Sequence, residues 1–315
     1  MHNTLTKLTF YLLLLYPLYS QVSNGGDPKS IQAGLTDDIP QVIMPLVDRD
    51  ALLKEDEIEM AKDVPYRFGT PIDVQYNLDN SGIWEEITNG RIWRFSIKSE
   101  NAYSINLLYD RFVLPEGAEL FVYDKEMETI IGAFTHKNNK SHETFSTSPT
   151  KGDVTILEYF EPSNVTFPGE LQINSVVHAY RDIFFNESRG YGDSGSCNNN
   201  VNCPEFDDWQ NEVRAAAMIL TSGGSRLCSG SLINNVRQDM TQYFLTANHC
   251  LGGESSWIFM FNYQSAGCSN QDGPTYQTVQ GSTLLANSSG SDFGLLRLTE
   301  TIPELYDVNY AGWDA

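Results

Sequence analysis

Two short stretches in the last third of the chain carry residue types suited to proton transfer. Tyr243-Phe-Leu-Thr-Ala-Asn-His249-Cys250 is an apolar strand that runs into Thr246-Ala247-Asn248 and delivers an imidazole beside a sulfur. A histidine held there by a disulfide can act as a fixed general base, because proton transfer requires placement within hydrogen-bond reach. Ser291-Asp292-Phe293-Gly294-Leu295-Leu296 sets one carboxylate ahead of an otherwise apolar strand. Aimed at the imidazole, that carboxylate would fix its tautomer and stabilise the imidazolium. Taken singly, each has a plainer reading: a histidine at a strand end is usually structural, and an aspartate there usually caps a turn or strand. A hydroxyl in a suggestive setting occurs at Gly192-Asp193-Ser194-Gly195, ahead of His249 in the chain.

The elements that must position these groups are short strands. Six candidates follow residue 202: Val213–Leu220, Leu227–Ile233, Tyr243–Ala247, Trp257–Tyr263, Tyr276–Leu285 and Asp292–Leu298. Six such strands can close a small barrel and so remove its exposed edges. The five cysteines, Cys197, Cys203, Cys228, Cys250 and Cys268, all lie in this half, whereas residues 21–196 contain none. The chain therefore divides into a region that depends on its own packing and a stapled one. An odd number implies that one cysteine pairs between chains or with a residue beyond 315. Zinc is the competing use, but no C-x2-C or H-x3-H spacing exists and His249 is the sole histidine of this half. No metal and no cofactor are expected.

Upstream, Pro65 to about Phe185 reads as short alternating runs between turn residues. Ile83–Thr88 and Arg91–Ile97 flank Asn89-Gly90, a strong hairpin signal. Ala102–Tyr109, Glu119–Tyr123, Thr129–Phe134, Asp153–Phe160 and Glu170–Tyr180 continue the pattern, which indicates an antiparallel β-sandwich. Residues 21–64 are polar and irregular apart from Ala51–Lys62, which fits a short amphipathic helix or a connector. Asn186–Asn202 is polar, glycine-rich and placed as an exposed linker open to proteolysis. At the start, Lys7 precedes an apolar stretch from Leu8 to Tyr19 and then Ser20, the order of a secretory signal peptide. Export into an oxidising compartment follows, with a secreted, extracellular product expected.

The whole chain is 315 residues with 41 acidic and 20 basic side chains, a formal charge of −21. Two domains fit that length. Nucleic acid is excluded as a partner because no basic patch is visible. No apolar run reaches the ~20 residues needed to cross a bilayer, so no membrane partner is expected. Between residues 192 and 315 the net charge is 4 minus 13, or −9, which would draw cationic ligands, although solubility explains it equally well. Lysine occurs nine times up to Lys151 and never afterwards. At the earlier frequency about ten would be expected in the remainder. Asn139, Asn164, Asn186 and Asn287 stand in Asn-x-Ser/Thr sites.

Taken together the chemistry-bearing residues resemble the trypsin-like serine peptidases, and within them the lysyl endopeptidase group. The likeness rests on Gly195-Ser-Cys197-Asn, Cys203-Pro204, Cys228-Ser-Gly-Ser-Leu-Ile-Asn-Asn235, Tyr243 to Cys250, Phe261-Asn-Tyr263, Cys268, Ser291 to Leu296 and Tyr310-Ala-Gly-Trp-Asp314. These motifs cover residues 192–315 almost continuously and in order. By that resemblance His249 is the general base and Asp292 its orienting partner, both from the first of two six-strand barrels. It also implies disulfides Cys203–Cys268 and Cys228–Cys250, with Cys197 left for a cysteine of the second barrel. The family's nucleophilic serine lies in a turn after the aspartate, and nothing after Asp292 resembles it. Ser194 stands in the wrong order for this fold.

The resemblance therefore implies an all-β precursor in consecutive parts: signal peptide 1–20, pro-segment 21–64, sandwich pro-region 65–185 and processing linker 186–202. The first barrel follows at 203–298, and 299–315 begins the second. Val64-Pro-Tyr-Arg-Phe-Gly69 and Leu114-Pro-Glu-Gly-Ala-Glu-Leu120 resemble pro-region motifs. A pro-region would assist barrel folding and block the cleft until removed. Processing is expected after Arg189, or after Tyr191 and before Gly192. The expected partners are peptide or protein substrates and the chain's own pro-region, with a monomeric state. Cleavage after lysine or arginine is implied, and scarcity of lysine would protect a lysine-cutting enzyme; compositional drift accounts for it equally. The fragment alone is expected to be inactive. The rival reading is a non-catalytic exported binding or adhesion protein that keeps the barrel.

Overall fold

Apolar side chains that alternate with polar ones point to opposite faces of a strand, so each such run builds half of a core. The computed structural model describes residues 26–36, 38–60, 65–182, 199–269 and 273–313. Its N-terminal half contains α1 (Lys29–Ala33), β1 (Gln41–Ile43), α2 (Arg49–Met60), β2 (Gly69–Asn77), β3 (Ile83–Ile87), β4 (Gly90–Lys98), β5 (Ser104–Val113) and β6 (Glu119–Asp124). It continues with β7 (Ile130–Phe134), β8 (Phe145–Ser146), β9 (Thr150–Lys151), β10 (Val154–Pro162) and β11 (Glu170–Ala179). One sheet runs β1-β4-β10-β6-β7 with β3 also on β4; the other runs β2-β11-β5-β8 with β9 also on β5. Between them lie Trp93, Phe95, Leu107, Tyr109, Phe112, Phe145, Leu157 and Tyr159, all buried. The rings of Phe112 and Phe145 stack at 4.1 Å. Each fully buried phenylalanine contributes about 1.5–3 kcal/mol.

Three features depart from the alternating-strand reading. β1, within the stretch read as irregular, joins β4 in parallel, Gln41 opposite Ser96. β2 carries Pro71 at the sheet edge, where a missing N–H costs no ladder bond. The β3–β4 hairpin pairs Ile87 with Gly90, so its two-residue loop is Thr88-Asn89. Gly90 serves a different purpose: a Cβ there would lie 2.2 Å from the Glu161 carbonyl oxygen of β10.

The C-terminal half holds α3 (Gln210–Val213), β12 (Ala216–Thr221), β13 (Ser225–Ile233), β14 (Tyr243–Thr246), β15 (Ile258–Phe261), β16 (Thr278–Gln280), β17 (Ser282–Ser288) and β18 (Phe293–Leu298). Their order is β16-β15-β12-β13-β14-β18-β17. The two ends of this sheet, β16 and β17, are separated only by Gly281, so one run pairs with β15 first and β18 next and the sheet closes on itself. Gly281 takes φ +76°, and a Cβ there would meet the Ser255 carbonyl and the Lys140 ammonium at 2.7 Å, which explains glycine at the seam. Ile219, Leu232, Phe244, Phe259, Phe261 and Leu296 fill the interior. Residues 299–313 return across the barrel: Ile302 and Tyr306 are buried in the same core, and Ala311 bridges Ile233 in parallel. Among the described residues the fold is all-β, with few and short helices.

Sandwich and barrel meet along a polar interface. Lys140 reaches the seam and donates at 2.8 Å to both the backbone oxygen and Oε1 of Gln280. Its ammonium lies 3.8 Å from Glu300 Oε1, and both side chains are buried. Asn138 Nδ2 and the Gln280 N–H donate to the same carboxylate. Ser148 Oγ bonds Thr278 Oγ1, Ser146 Oγ donates to the Ser256 carbonyl, and Asn106 Nδ2 to the Ser222 carbonyl. α2 is tied to the junction by Asp56, whose buried carboxylate accepts from Arg67, Tyr180 and Arg181.

Candidate active site

His249 sits in a single 3-10 turn, Asn248–Cys250, that terminates β14. The turn is anchored from two sides. Cys250 is disulfide-bonded to Cys228 of β13, and Leu251 packs against Gly294 of β18. A second disulfide, Cys203–Cys268, closes the segment leading into the barrel. Asp292 is the last residue of the turn between β17 and β18 and takes φ +52°, a left-handed conformation in which aspartate is among the better tolerated non-glycine residues. β14 and β18 are hydrogen-bonded neighbours with Thr246 opposite Gly294, so the two turns emerge at the same end of the barrel.

The carboxylate and the imidazole, 43 positions apart in the chain, meet there. Asp292 Oδ2 lies 2.7 Å from His249 Nδ1, and its Oδ1 accepts the His249 backbone N–H at 3.0 Å. An ionised carboxylate can only accept, so Nδ1 carries a proton, and in the neutral ring Nε2 then holds the lone pair. The bond from the His249 ring, followed by the backbone N–H groups of His249 and Asn248, holds the Asp292 carboxyl below the usual carboxylate range. The imidazole is 70% exposed and Asp292 52%.

Asn287 completes the arrangement: its Nδ2 donates at 2.7 Å to Asn248 Oδ1, fixing the residue before the histidine from β17. Sequence reasoning noted Asn287 only as an Asn-x-Ser site. No motif could reveal its role, because the contact depends on the register of β17 against β18. On β14, β17 and β18, the strands whose ends carry the dyad, Leu245, Leu284, Leu285 and Phe293 are between 36% and 43% exposed. Cys228, His249 and Cys250 cluster closely enough to suggest metal ligation, but both sulfurs are consumed in the disulfide and offer no thiolate. Arg189, Tyr191, Gly192, Ser194 and Cys197 lie outside the described residues.

Comparison with known proteins places this geometry in context. A family model described as "Lysyl endopeptidase, C-terminal domain" matches residues 191–315. A curated lysyl endopeptidase of Pseudomonas aeruginosa is 29% identical over 182 residues, covering 52% of this chain and 39% of that protein. The chain thus spans about two-fifths of that relative's length. The matched segment, which contains the dyad, is therefore similar to the C-terminal domain of lysyl endopeptidases.

Proposed function

We propose that this chain is the N-terminal portion of a secreted serine endopeptidase zymogen that cuts after basic residues, with His249 as general base and Asp292 as its orienting partner. The observation that carries the proposal is the double grip of Asp292 on the ring Nδ1 and the backbone N–H of one residue. A capping aspartate needs only the second of these bonds. The first sets the tautomer.

In the mechanism that follows, Nε2, the ring nitrogen not bonded to Asp292, takes the proton of an incoming hydroxyl nucleophile as that oxygen attacks a peptide carbonyl. The imidazolium formed is stabilised by Asp292, which stays ionised because its bonds favour the charged form. The same imidazolium then returns the proton to the leaving amine. The nucleophile, the oxyanion donors and the pocket for the basic side chain belong, in this proposal, to sequence beyond residue 315. The exposed apolar residues Leu245, Leu284, Leu285 and Phe293 on β14, β17 and β18 support further chain packing against this side of the barrel. Export is supported by the two disulfides, and among the described residues no helix is long and apolar enough to cross a membrane.

The test is hydrolysis of lysyl and arginyl peptide esters by the secreted product of the complete reading frame, compared with its His249→Ala variant. Loss of at least about a thousand-fold in kcat is expected, since removal of the base leaves only the residual catalysis of binding and oxyanion contacts. Unchanged turnover in the variant would refute the assignment. N-terminal sequencing of the secreted product should place its first residue within 186–192.

A further inference from the structure

The N-terminal half holds one edge of the barrel with a segment that behaves as a bound peptide. β13 runs from Ser225 to Ile233, but β14 pairs only with Ser231–Ile233. The start of β13 therefore overhangs its neighbour, and Tyr66–Gly69 lies against the overhang. Arg67 pairs antiparallel with Ser225. The Gly224 carbonyl accepts the N–H groups of Phe68 and Gly69, both at 2.9 Å, and the Arg226 N–H donates to the Tyr66 carbonyl at 2.9 Å. Side chains alternate as strand geometry requires. Phe68, 1% exposed, enters an apolar cluster with Leu220, Ile258 and Met260 of the barrel. The Tyr66 ring lies 5.1 Å from the Arg226 guanidinium. Between them Arg67 turns away and pairs with Glu55 and Asp56 of α2. The barrel thus contacts backbone and two alternate aromatic side chains, as in strand addition with an anchored ring, while Ala179, Tyr180 and Arg181 of the N-terminal half contact the same segment from the other side.

We propose that this edge is a peptide-docking site distinct from the His249 region, that its ligand is an extended polypeptide of the form Tyr-x-Phe, and that Tyr66–Phe68 occupies it until the N-terminal half departs. The inference rests on the processing proposed above. Gly224 is the residue that permits the approach: a Cβ there would lie 2.9 Å from Gly69 Cα. The dyad remains exposed while the edge is filled, so a polypeptide held at this edge does not occlude the imidazole.

The test uses the full chain with a site-specific protease sequence in place of residues 186–191, before and after cutting. A fluorescein-labelled synthetic peptide of residues 64–72 is titrated by anisotropy, beside the same peptide carrying Phe68→Ala. Saturable binding to the cut chain is expected, weaker by about ten-fold or more for the alanine peptide. The uncut chain should bind neither. Arg226→Ala in the chain should weaken the parent peptide but not one that carries Tyr66→Ala. Absence of binding to the cut chain after its halves have been separated overturns the proposal, as do equal affinities for the phenylalanine and alanine peptides. Native processing is read separately by the N-terminal sequence of the secreted product, so a failure of processing and a failure of docking give different results.

Discussion

Replacing Lys140 by methionine removes the cation that, among the described residues, faces the buried carboxylate of Glu300 at the barrel seam. Burial pushes the Glu300 carboxyl up and the Lys140 ammonium down, and each is opposed by the charge of the other. Breaking a buried pair by removing one partner costs about 3–5 kcal/mol, because the remaining charge is left uncompensated. Glu300 retains the Gln280 N–H at 2.8 Å and Asn138 Nδ2 at 3.2 Å, which places Lys140→Met near the lower figure, about 3 kcal/mol. In Glu300→Gln, Lys140 keeps the two oxygens of Gln280, and a similar loss of about 3 kcal/mol is expected. The double variant leaves no buried charge and should lose only about 2 kcal/mol, far under the additive sum of about 6. Native-state hydrogen exchange of the amides in residues 278–300 reads the effect where it arises. The prediction includes its locality: β16, β17 and β18 should lose protection while the core of β4 and β10 does not. Additive single losses, or a loss spread evenly over both halves, would refute this account of the interface.

Asp56 gives the pH dependence. Although burial opposes it, hydrogen bonds from Arg181, Tyr180 and Arg67 hold its carboxyl below the usual range. A depressed carboxyl stabilises above its unfolded value of about 3.9 and loses that contribution as pH falls through the folded value, so Asp56→Asn should flatten the acid limb of a thermal-stability profile. Acid-limb profiles that coincide would contradict the assignment. Selective replacement of Cys228 and Cys250 by serine opens a loop with a sequence separation of 22, and the chain-entropy relation puts the loss at about 3 kcal/mol. The Cys203 and Cys268 double replacement, with a separation of 65, should cost about 4 kcal/mol in the same denaturant titration. The reverse order would show that native-state strain, rather than loop length, sets the values.

Much of the barrel was legible because β12, β14, β15 and β18 are largely apolar runs. Its closure was not. Tyr276–Leu285 reads as one strand, and only the contacts of Gly281 with Lys140 and Ser255 reveal the point where it changes partners. In the sandwich, β2 escaped notice because Pro71 argues against a central strand, a rule that an edge position satisfies. β1 is three residues long, too short to show a period. Gly90 carried the right message for the wrong reason, since its small size is needed by β10 rather than by the turn. At the site, residue type singled out His249 and Asp292, but their contact spans 43 positions and follows from the pairing of β14 with β18. Lys140 and Glu300 were invisible for a related reason: composition treats charged residues as surface, and only the docked sandwich buries them.

The central claim is that Asp292 fixes His249 in the tautomer that a general base requires. Nitrogen-15 NMR of the histidine-labelled chain at neutral pH measures this directly. The account predicts a neutral ring protonated at Nδ1 with Nε2 bare, reverting in Asp292→Asn to the mixture of an unconstrained imidazole or to the opposite tautomer. A ring protonated at Nε2 in the parent chain, or one whose signals are unchanged by Asp292→Asn, would contradict it.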